Sequence, residues 1–104
     1  MLIEMSTTSA FEALADPTRR SILKLLRSGS RSAGDIAEAF HLTKPTISHH
    51  FKVLREAGLV RSERRGTSIV YTLQANAIEE VASELFDLVD GVRGAVRRKK
   101  GVES

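Results

Sequence analysis

The sequence predicts one mainly helical domain with a small β-hairpin, in the order α-α-α-α-β-β-α. Apolar residues recur at helical spacing in several short segments, and each segment has a capping residue, a proline or a glycine beside it. Strand-like residues alternate strictly in Ser68–Leu73, directly after a glycine-containing turn. Because 104 residues are enough for a single modest core, residues 1–104 are expected to form one domain.

The first two helices are defined mainly by their capping residues. Ser6 or Thr7 can cap a short helix that ends near Ala15. Asp16-Pro17 then starts a second helix, because aspartate is a good N-cap and proline loses no hydrogen bond at the first helical position. This helix is expected to end at Ser28-Gly29. Its predicted apolar stripe consists of Ile22, Leu25 and Leu26.

Two further helices are joined by a short turn at His41-Leu42. Ser32 is the expected N-cap of the first and Thr43 of the second. The second helix should end at Ala57, because Gly58 can adopt the left-handed conformation that closes a helix. Two helices joined by a tight turn, the second with outward polar residues, are typical of a helix-turn-helix.

A hairpin and a long helix complete the predicted fold. Leu59 to Arg64 and Ser68 to Leu73 are the expected strands, joined by the turn Arg65-Gly66-Thr67. Asn76 is the expected cap of the last helix, which should reach at least Asp90. The pattern as a whole predicts a winged helix-turn-helix.

Charge is distributed unevenly along a chain of net charge +3. Bases dominate residues 44–66, whereas residues 75–92 carry acids and no base. The first segment is therefore suited to approach a polyanion. The absence of cysteine excludes disulfides and thiolate metal sites. The N-terminal residues have neither a basic signal region nor a long apolar run, so a cytoplasmic protein without a membrane span is expected.

A helical wheel divides the fourth helix into two sides. Ile47, Phe51 and Leu54 fall on one side and are expected to pack against the preceding helix. The other side is polar and suits the major groove of DNA, where the N-terminal residues of a recognition helix reach base edges first. The predicted DNA-contacting residues are Lys44, Pro45, Thr46, Ser48, His49, Lys52, Arg64, Arg65 and Thr67. The alternative interpretation of the polar side is a merely solvated surface.

Arg64 and Arg65 stand at the predicted hairpin tip, where arginine can enter the minor groove. The alternative is that these charges only protect an exposed sheet edge. The adjacent His49 and His50 point about 100° apart on a helix, which argues against a shared metal ion. His50 is expected to be a partly buried, hydrogen-bonded packing residue. No metal or other cofactor is predicted.

Three segments, residues 14–20, 35–40 and 44–60, resemble the ArsR family of bacterial and archaeal winged-helix repressors. The resemblance implies a homodimer that binds a palindromic DNA operator. The family's metal-sensing thiolates correspond to Ser32 and Gly34, and its second metal site uses Asp and His pairs on the last helix. Asp87 and Asp90 have no histidine near them in the sequence, so the resemblance is to a metal-independent, autorepressor-like branch with an unknown effector.

Apolar residues of the last helix spread over about 160°, more than a surface helix needs. The excess predicts two packing surfaces, one for the chain's own core and one for a second copy. The alternative is a helix well buried in one domain. The predicted dimer residues are Phe11, Leu14, Val81, Leu85, Leu88, Val89 and Val92. Residues of about 76–98 are expected to form this dimerisation helix and a frayed basic tail that includes Arg97–Lys100.

Three other functions compete with a dimeric repressor. A ligand-responsive sensor would carry a pocket at the dimer interface, and a protein-interaction module would have kept the winged helix without DNA binding. An enzyme is not expected, because Ser48 and His49 are consecutive on a helix and no acid is placed to orient the histidine.

Overall fold

The computed structural model describes the backbone of residues 9–103 and the side chains of residues 9–90. Helices dominate, as predicted, and a small antiparallel sheet accompanies them. The elements in chain order are α1 (9–14), α2 (Pro17–Leu26), β1 (Arg31–Ser32), α3 (Ala33–Phe40), α4 (Lys44–Glu56), β2 (Val60–Arg65), β3 (Ser68–Leu73) and α5 (Ala75–Glu103). The predicted cap at Ser6 or Thr7 lies outside the described residues.

The sheet has three strands in the order β1-β3-β2, whereas the sequence predicted only the hairpin β2-β3. Arg31 pairs with Tyr71 and Ser32 with Val70, both antiparallel. A two-residue strand shows no alternation, so the sequence offered no signal for β1. This strand ties the start of α3 to the hairpin and so fixes where the hairpin lies beside the helices.

Two of the predicted N-caps are present. The Asp16 carboxylate accepts a hydrogen bond of 2.9 Å from the Arg19 backbone N–H, and Pro17 occupies the first position of α2. The Ser32 hydroxyl accepts a hydrogen bond of 3.1 Å from the Asp35 backbone N–H at the start of α3. Each cap satisfies one backbone donor that the first turn of a helix leaves without a partner.

The predicted cap of α4 is wrong in its mechanism. Thr43 occupies the N-cap position with extended backbone angles, but its hydroxyl accepts no backbone hydrogen bond. It instead donates to the hydroxyl of Thr46 at 3.0 Å. The first turn of α4 therefore keeps backbone donors free on an exposed surface.

The end of α4 is as predicted. Gly58 adopts φ 75, in the left-handed region. Its N–H donates to the carbonyl of Arg55 at 3.0 Å, and the N–H of Leu59 donates to the carbonyl of Leu54 at 3.0 Å. This pair of bonds is a Schellman motif, which ends the helix and turns the chain into β2.

The hairpin turn is shorter than predicted. Arg65 pairs with Ser68, so the turn consists of Gly66-Thr67 alone and β2 runs one residue further than expected. Gly66 has φ 62. A two-residue turn with glycine first and positive φ matches the right-handed twist of the strands, as in type II′ turns.

The core lies between the helices and one face of the sheet. Ile22, Ile36, Leu54 and Leu59 have the largest fully buried side chains. The rings of Phe51 and Tyr71 stack with centroids 4.1 Å apart, which joins α4 to β3. In α2 the buried side chains are Ile22, Leu23 and Leu26, whereas the predicted Leu25 is only half-buried.

Helix α5 starts earlier and ends later than the sequence indicated. The backbone N–H groups of Ala77 and Ile78 donate to the carbonyl of Gln74, so the predicted cap at Asn76 is wrong. The helix has 29 residues and continues to Glu103, so the backbone of Arg97–Lys100 is helical, and fraying of this segment stays a prediction. Within residues 9–103, no helix has an apolar stretch long enough to cross a membrane.

This length carries α5 away from the core. At 1.5 Å per residue the helix is about 43 Å long. The radius of gyration is 17.6 Å, whereas a compact chain of this size has about 13 Å. Only the first turns of α5 can therefore pack against the chain's own core.

Candidate nucleic-acid interface

Helix α4 has the two sides that the wheel predicted. Ile47, Phe51 and Leu54 are buried. Val53 is half-buried and also packs against the core. The residues predicted to touch DNA are all exposed on this helix: Lys44, Pro45, Thr46, Ser48, His49 and Lys52. The buried side fixes the rotation of α4, and the exposed side offers hydroxyl, imidazole and ammonium groups to a ligand.

Arg19 holds α4 to the preceding helices, a role that periodicity did not indicate. Its Nε donates to the carbonyl of Ala13 at 2.8 Å and an Nη donates to the carbonyl of Glu12 at 3.2 Å. The other Nη lies 3.3 Å from Nδ1 of His50. One guanidinium therefore connects the end of α1, the start of α2 and the middle of α4. In the sequence Arg19 stood out only as part of a segment that resembles the ArsR family.

His50 is buried and hydrogen-bonded, as expected. Its exposed fraction is 9%. Burial lowers the pKa of His50 below its ordinary value of 6.5, the carboxylate of Asp16 opposes this, and Arg19 and His49 reinforce it. Since Arg19 can only donate, Nδ1 of neutral His50 is the acceptor. The pKa of Asp16 is itself lowered, chiefly by the hydrogen bond from the Arg19 backbone.

The two arginines of the hairpin lie on opposite faces of the sheet. Arg64 is opposite Ile69, on the face that carries Tyr71 toward α4. Arg65 lies on the other face, where its guanidinium is 3.3 Å from the carboxylate of Glu63. Thr67 is exposed in the turn. In the sequence the two arginines were equivalent candidates for DNA contact. In the structure, only Arg64 of the two lies on the side of the sheet that faces α4.

The predicted dimer residues are arranged differently from the prediction. Val81 is 4% exposed and belongs to the chain's own core, so it offers almost no surface to a second copy. Leu85, Leu88 and Val89 are exposed at 48%, 69% and 39%. Val81, Leu85 and Leu88 lie at i, i+4 and i+7, on one stripe of the helix. The start of the apolar stripe is buried in the chain's own core and the rest is exposed. The buried and exposed parts therefore follow each other along the helix instead of lying on different sides of it.

The remaining dimer residues are at the first helix and the end of the last. Phe11 is 37% exposed, Leu14 is half-buried, and the side chain of Val92 lies outside the described residues. Phe86 is 61% exposed and was not among the predicted residues. Five residues after Val81, it lies at the edge of the apolar arc of about 160° that the sequence predicted.

No group of three or more His, Cys, Asp or Glu side chains gathers into a metal-binding arrangement among the described residues. His49 and His50 have ring centroids 6.0 Å apart, with one ring exposed and the other buried. Independence from metal stays a prediction.

Comparison with known proteins gives the chain relatives of one kind. A profile described as "Bacterial regulatory protein, arsR family" matches residues 16–62. The transcriptional repressor SdpR of Bacillus subtilis is 39% identical over 82 residues, which cover 79% of this chain and 91% of the relative. The HTH-type transcriptional regulator NmtR of Mycobacterium tuberculosis is 41% identical over 76 residues, which cover 73% of this chain and 63% of the relative.

Solved structures agree. An ArsR-like transcriptional regulator from Rhodococcus sp. RHA1 superposes with a TM-score of 0.80 at 25% identity, covering 98% of this chain and 96% of the other. A homodimeric winged helix-turn-helix DNA-binding domain from Mycobacterium bovis, solved in solution, superposes with a TM-score of 0.67 at 34% identity, covering 89% and 82%. The predicted winged helix-turn-helix fold is confirmed, and the chain belongs to the arsR family of bacterial regulatory proteins.

Proposed function

We propose that the protein is a homodimeric transcriptional repressor that binds a palindromic DNA operator, with α4 in the major groove and the hairpin beside it. The observation that carries the proposal is the two-sided construction of α4. Its apolar side is locked into the core, and a continuous exposed side carries Lys44, Ser48 and His49 near the helix start. These groups can donate to or accept from base edges and phosphates.

A second copy is supported by the uncovered part of α5. Large apolar side chains follow one another along the helix beyond the core, at Leu85, Leu88 and Val89. An isolated chain would leave this row in water, whereas a symmetric pair of α5 helices would bury it. Two α4 helices in one dimer would read two half-sites and so multiply affinity and specificity.

The proposed regulator needs no catalytic group and no cofactor. Ser48 and His49 are consecutive and exposed on one helix turn, an arrangement that does not suit a nucleophile activated by a histidine that an acid orients. Without cysteine, the signal that releases DNA would not act through thiolates. The protein would work in the cytoplasm, where a bacterial chromosome is accessible.

The decisive experiment maps binding of the protein over its own genome and then measures affinity for the recovered operator by fluorescence anisotropy. Ser48→Ala with His49→Ala is expected to weaken binding by about 1–3 kcal/mol for each base whose hydrogen bond to α4 is removed, with unchanged thermal unfolding. Ser83→Ala, which removes an exposed hydroxyl from α5, is the matched control and should bind like the parent chain.

Two outcomes would contradict the proposal. If the double variant binds its operator as tightly as the parent chain, α4 does not read the DNA. If no genomic site is enriched and purified protein binds no DNA, the fold serves a protein partner instead.

A further inference from the structure

A groove of about 510 Å³ lies between α3, α4 and β3, beside the exposed side of α4. Its floor is apolar: Ile47 and the stacked rings of Phe51 and Tyr71 lie at its base, and Ile69, which is 38% exposed, supplies open apolar surface. The wall formed by α3 consists of Ala33, Gly34 and Ala37, which have no side-chain atoms beyond Cβ. These small residues leave the space open, and its volume is in the range of ordinary small-molecule sites.

The rim of the groove is cationic. Lys44, Ser48, Lys52 and Arg55 line it at positions i, i+4, i+8 and i+11, which form one ridge along α4. None of the lining residues that the structure describes is acidic. An apolar floor under three cations is complementary to a molecule with a flat apolar body and a negative group.

We propose that this groove binds a small aromatic organic anion, such as an aryl carboxylate, and that the bound anion competes with operator DNA. The aromatic body would lie over the apolar floor, and the carboxylate would meet the ammonium and guanidinium groups of the rim. The competition rests on the proposed function, because Lys44, Ser48 and Lys52 are also residues proposed to contact DNA. A phosphate of the DNA backbone could satisfy the cations, but it has no apolar part to cover the exposed side chain of Ile69.

The site is tested without DNA by titrating ¹⁵N-labelled full-length protein with 2-naphthoate and following the backbone amide signals. The expected shifts concentrate at residues 33–37 and 69–71, which line or border the groove. The uncharged 2-naphthalenemethanol keeps the ring system and lacks the carboxylate, so its affinity should be lower by about tenfold or more. Shifts confined to α5, or equal affinity for both compounds, would overturn the site.

Two variants separate the apolar floor from the charged rim. Ala37→Leu fills part of the groove and should reduce naphthoate affinity by about tenfold or more, because the ring no longer fits. Arg55→Gln keeps the groove open and removes one cation, so it should weaken naphthoate binding and leave binding of the neutral alcohol unchanged. If Ala37→Leu does not fold, Arg55→Gln still decides the question. An unchanged preference for naphthoate in this variant refutes the assigned rim.

Competition is measured by repeating the operator titration in the presence of naphthoate. Operator affinity of the parent chain should fall as naphthoate rises, whereas Ala37→Leu should bind the operator and resist the compound. Groove binding without any decrease in operator affinity would overturn the competition. If the ligand-free protein binds no operator, the proposed function fails, and the amide shifts still decide whether the groove is an anion site.

Discussion

Replacing Arg64 with alanine should weaken DNA binding more than replacing Arg65, although the two residues are neighbours at the hairpin tip. Arg64 shares the sheet face that packs toward α4. Arg65 lies on the opposite face and is paired with Glu63 at 3.3 Å, in an ion pair whose side chains are 61% and 65% exposed. Because of this difference in position, Arg64 should contribute more than Arg65 to the electrostatic part of the DNA-binding free energy.

The expected size of the Arg64 effect follows from counterion release. One phosphate neutralised by a basic side chain contributes about 0.9 to the slope of log K against log salt, so a dimer with two hairpins should have a slope smaller by about 1.8 in Arg64→Ala. At 0.1 M salt the same change corresponds to roughly 60-fold in affinity, or about 2.5 kcal/mol. Arg65 must first leave Glu63, and an exposed ion pair is worth up to about 1 kcal/mol, so Arg65→Ala should cost less.

Operator binding is measured by fluorescence anisotropy between about 0.05 and 0.2 M salt, the range in which phosphate contacts dominate the change in affinity. Glu63→Gln serves as the matched control, because it frees Arg65 and should raise affinity slightly. Equal changes of slope for Arg64→Ala and Arg65→Ala would refute the assignment of the two faces. An unchanged slope in both variants would remove the hairpin from the interface.

Three further predictions concern the dimer, the buried histidine and the end of α4. Leu85→Asp should give monomers in sedimentation, because a charge in the proposed interface cannot be desolvated cheaply, whereas Ser83→Asp on the opposite side of α5 should leave the mass unchanged. His50 contributes stability that is full above its unfolded pKa near 6.5, declines below that pH and is lost once the pH has fallen through its lower folded pKa. The variant His50→Gln should therefore flatten the pH dependence of the free energy of unfolding in urea over this window, and an equally steep pH dependence would contradict the assignment. Gly58→Ala should lower the free energy of unfolding in urea by about 1 kcal/mol, from the left-handed backbone alone, since nothing lies within 4 Å of an added Cβ; an unchanged midpoint would contradict this.

The sequence predicted those features that depend on neighbouring residues. The cap at Asp16, the stop at Gly58 and the two sides of α4 each follow from residues within about one to four positions of one another. The predicted capping hydrogen bond of Thr43 is absent for an equally local reason. The hydroxyls of Thr43 and Thr46, three residues apart, bond to each other instead of to the backbone. A favourable residue type at a cap position does not determine which partner its side chain takes.

Features that depend on contacts between residues far apart along the chain could not be predicted from the sequence pattern. Arg19 reaches His50 across 31 positions, and β1 exists because it pairs with β3 across some 40 residues. The apolar stripe of α5 was recognised, but a wheel has no information about where along the helix the core ends. Val81 and Leu85 are therefore alike in sequence pattern and opposite in exposure. The groove beside α4 also needed the structure, because the side chains that line it come from three elements.

The stack of Phe51 on Tyr71 has a consequence for the kind of operator that such a regulator tolerates. The contact makes α4 and the hairpin one rigid unit, because each ring is buried and the centroids are 4.1 Å apart. Inserting one base pair between the positions that α4 and the hairpin are proposed to contact shifts these positions by about 3.4 Å along the DNA, which a rigid unit cannot follow. An insertion within a half-site should therefore prevent α4 and the hairpin from contacting the DNA at the same time. A base change within the half-site leaves this spacing intact and should weaken binding less.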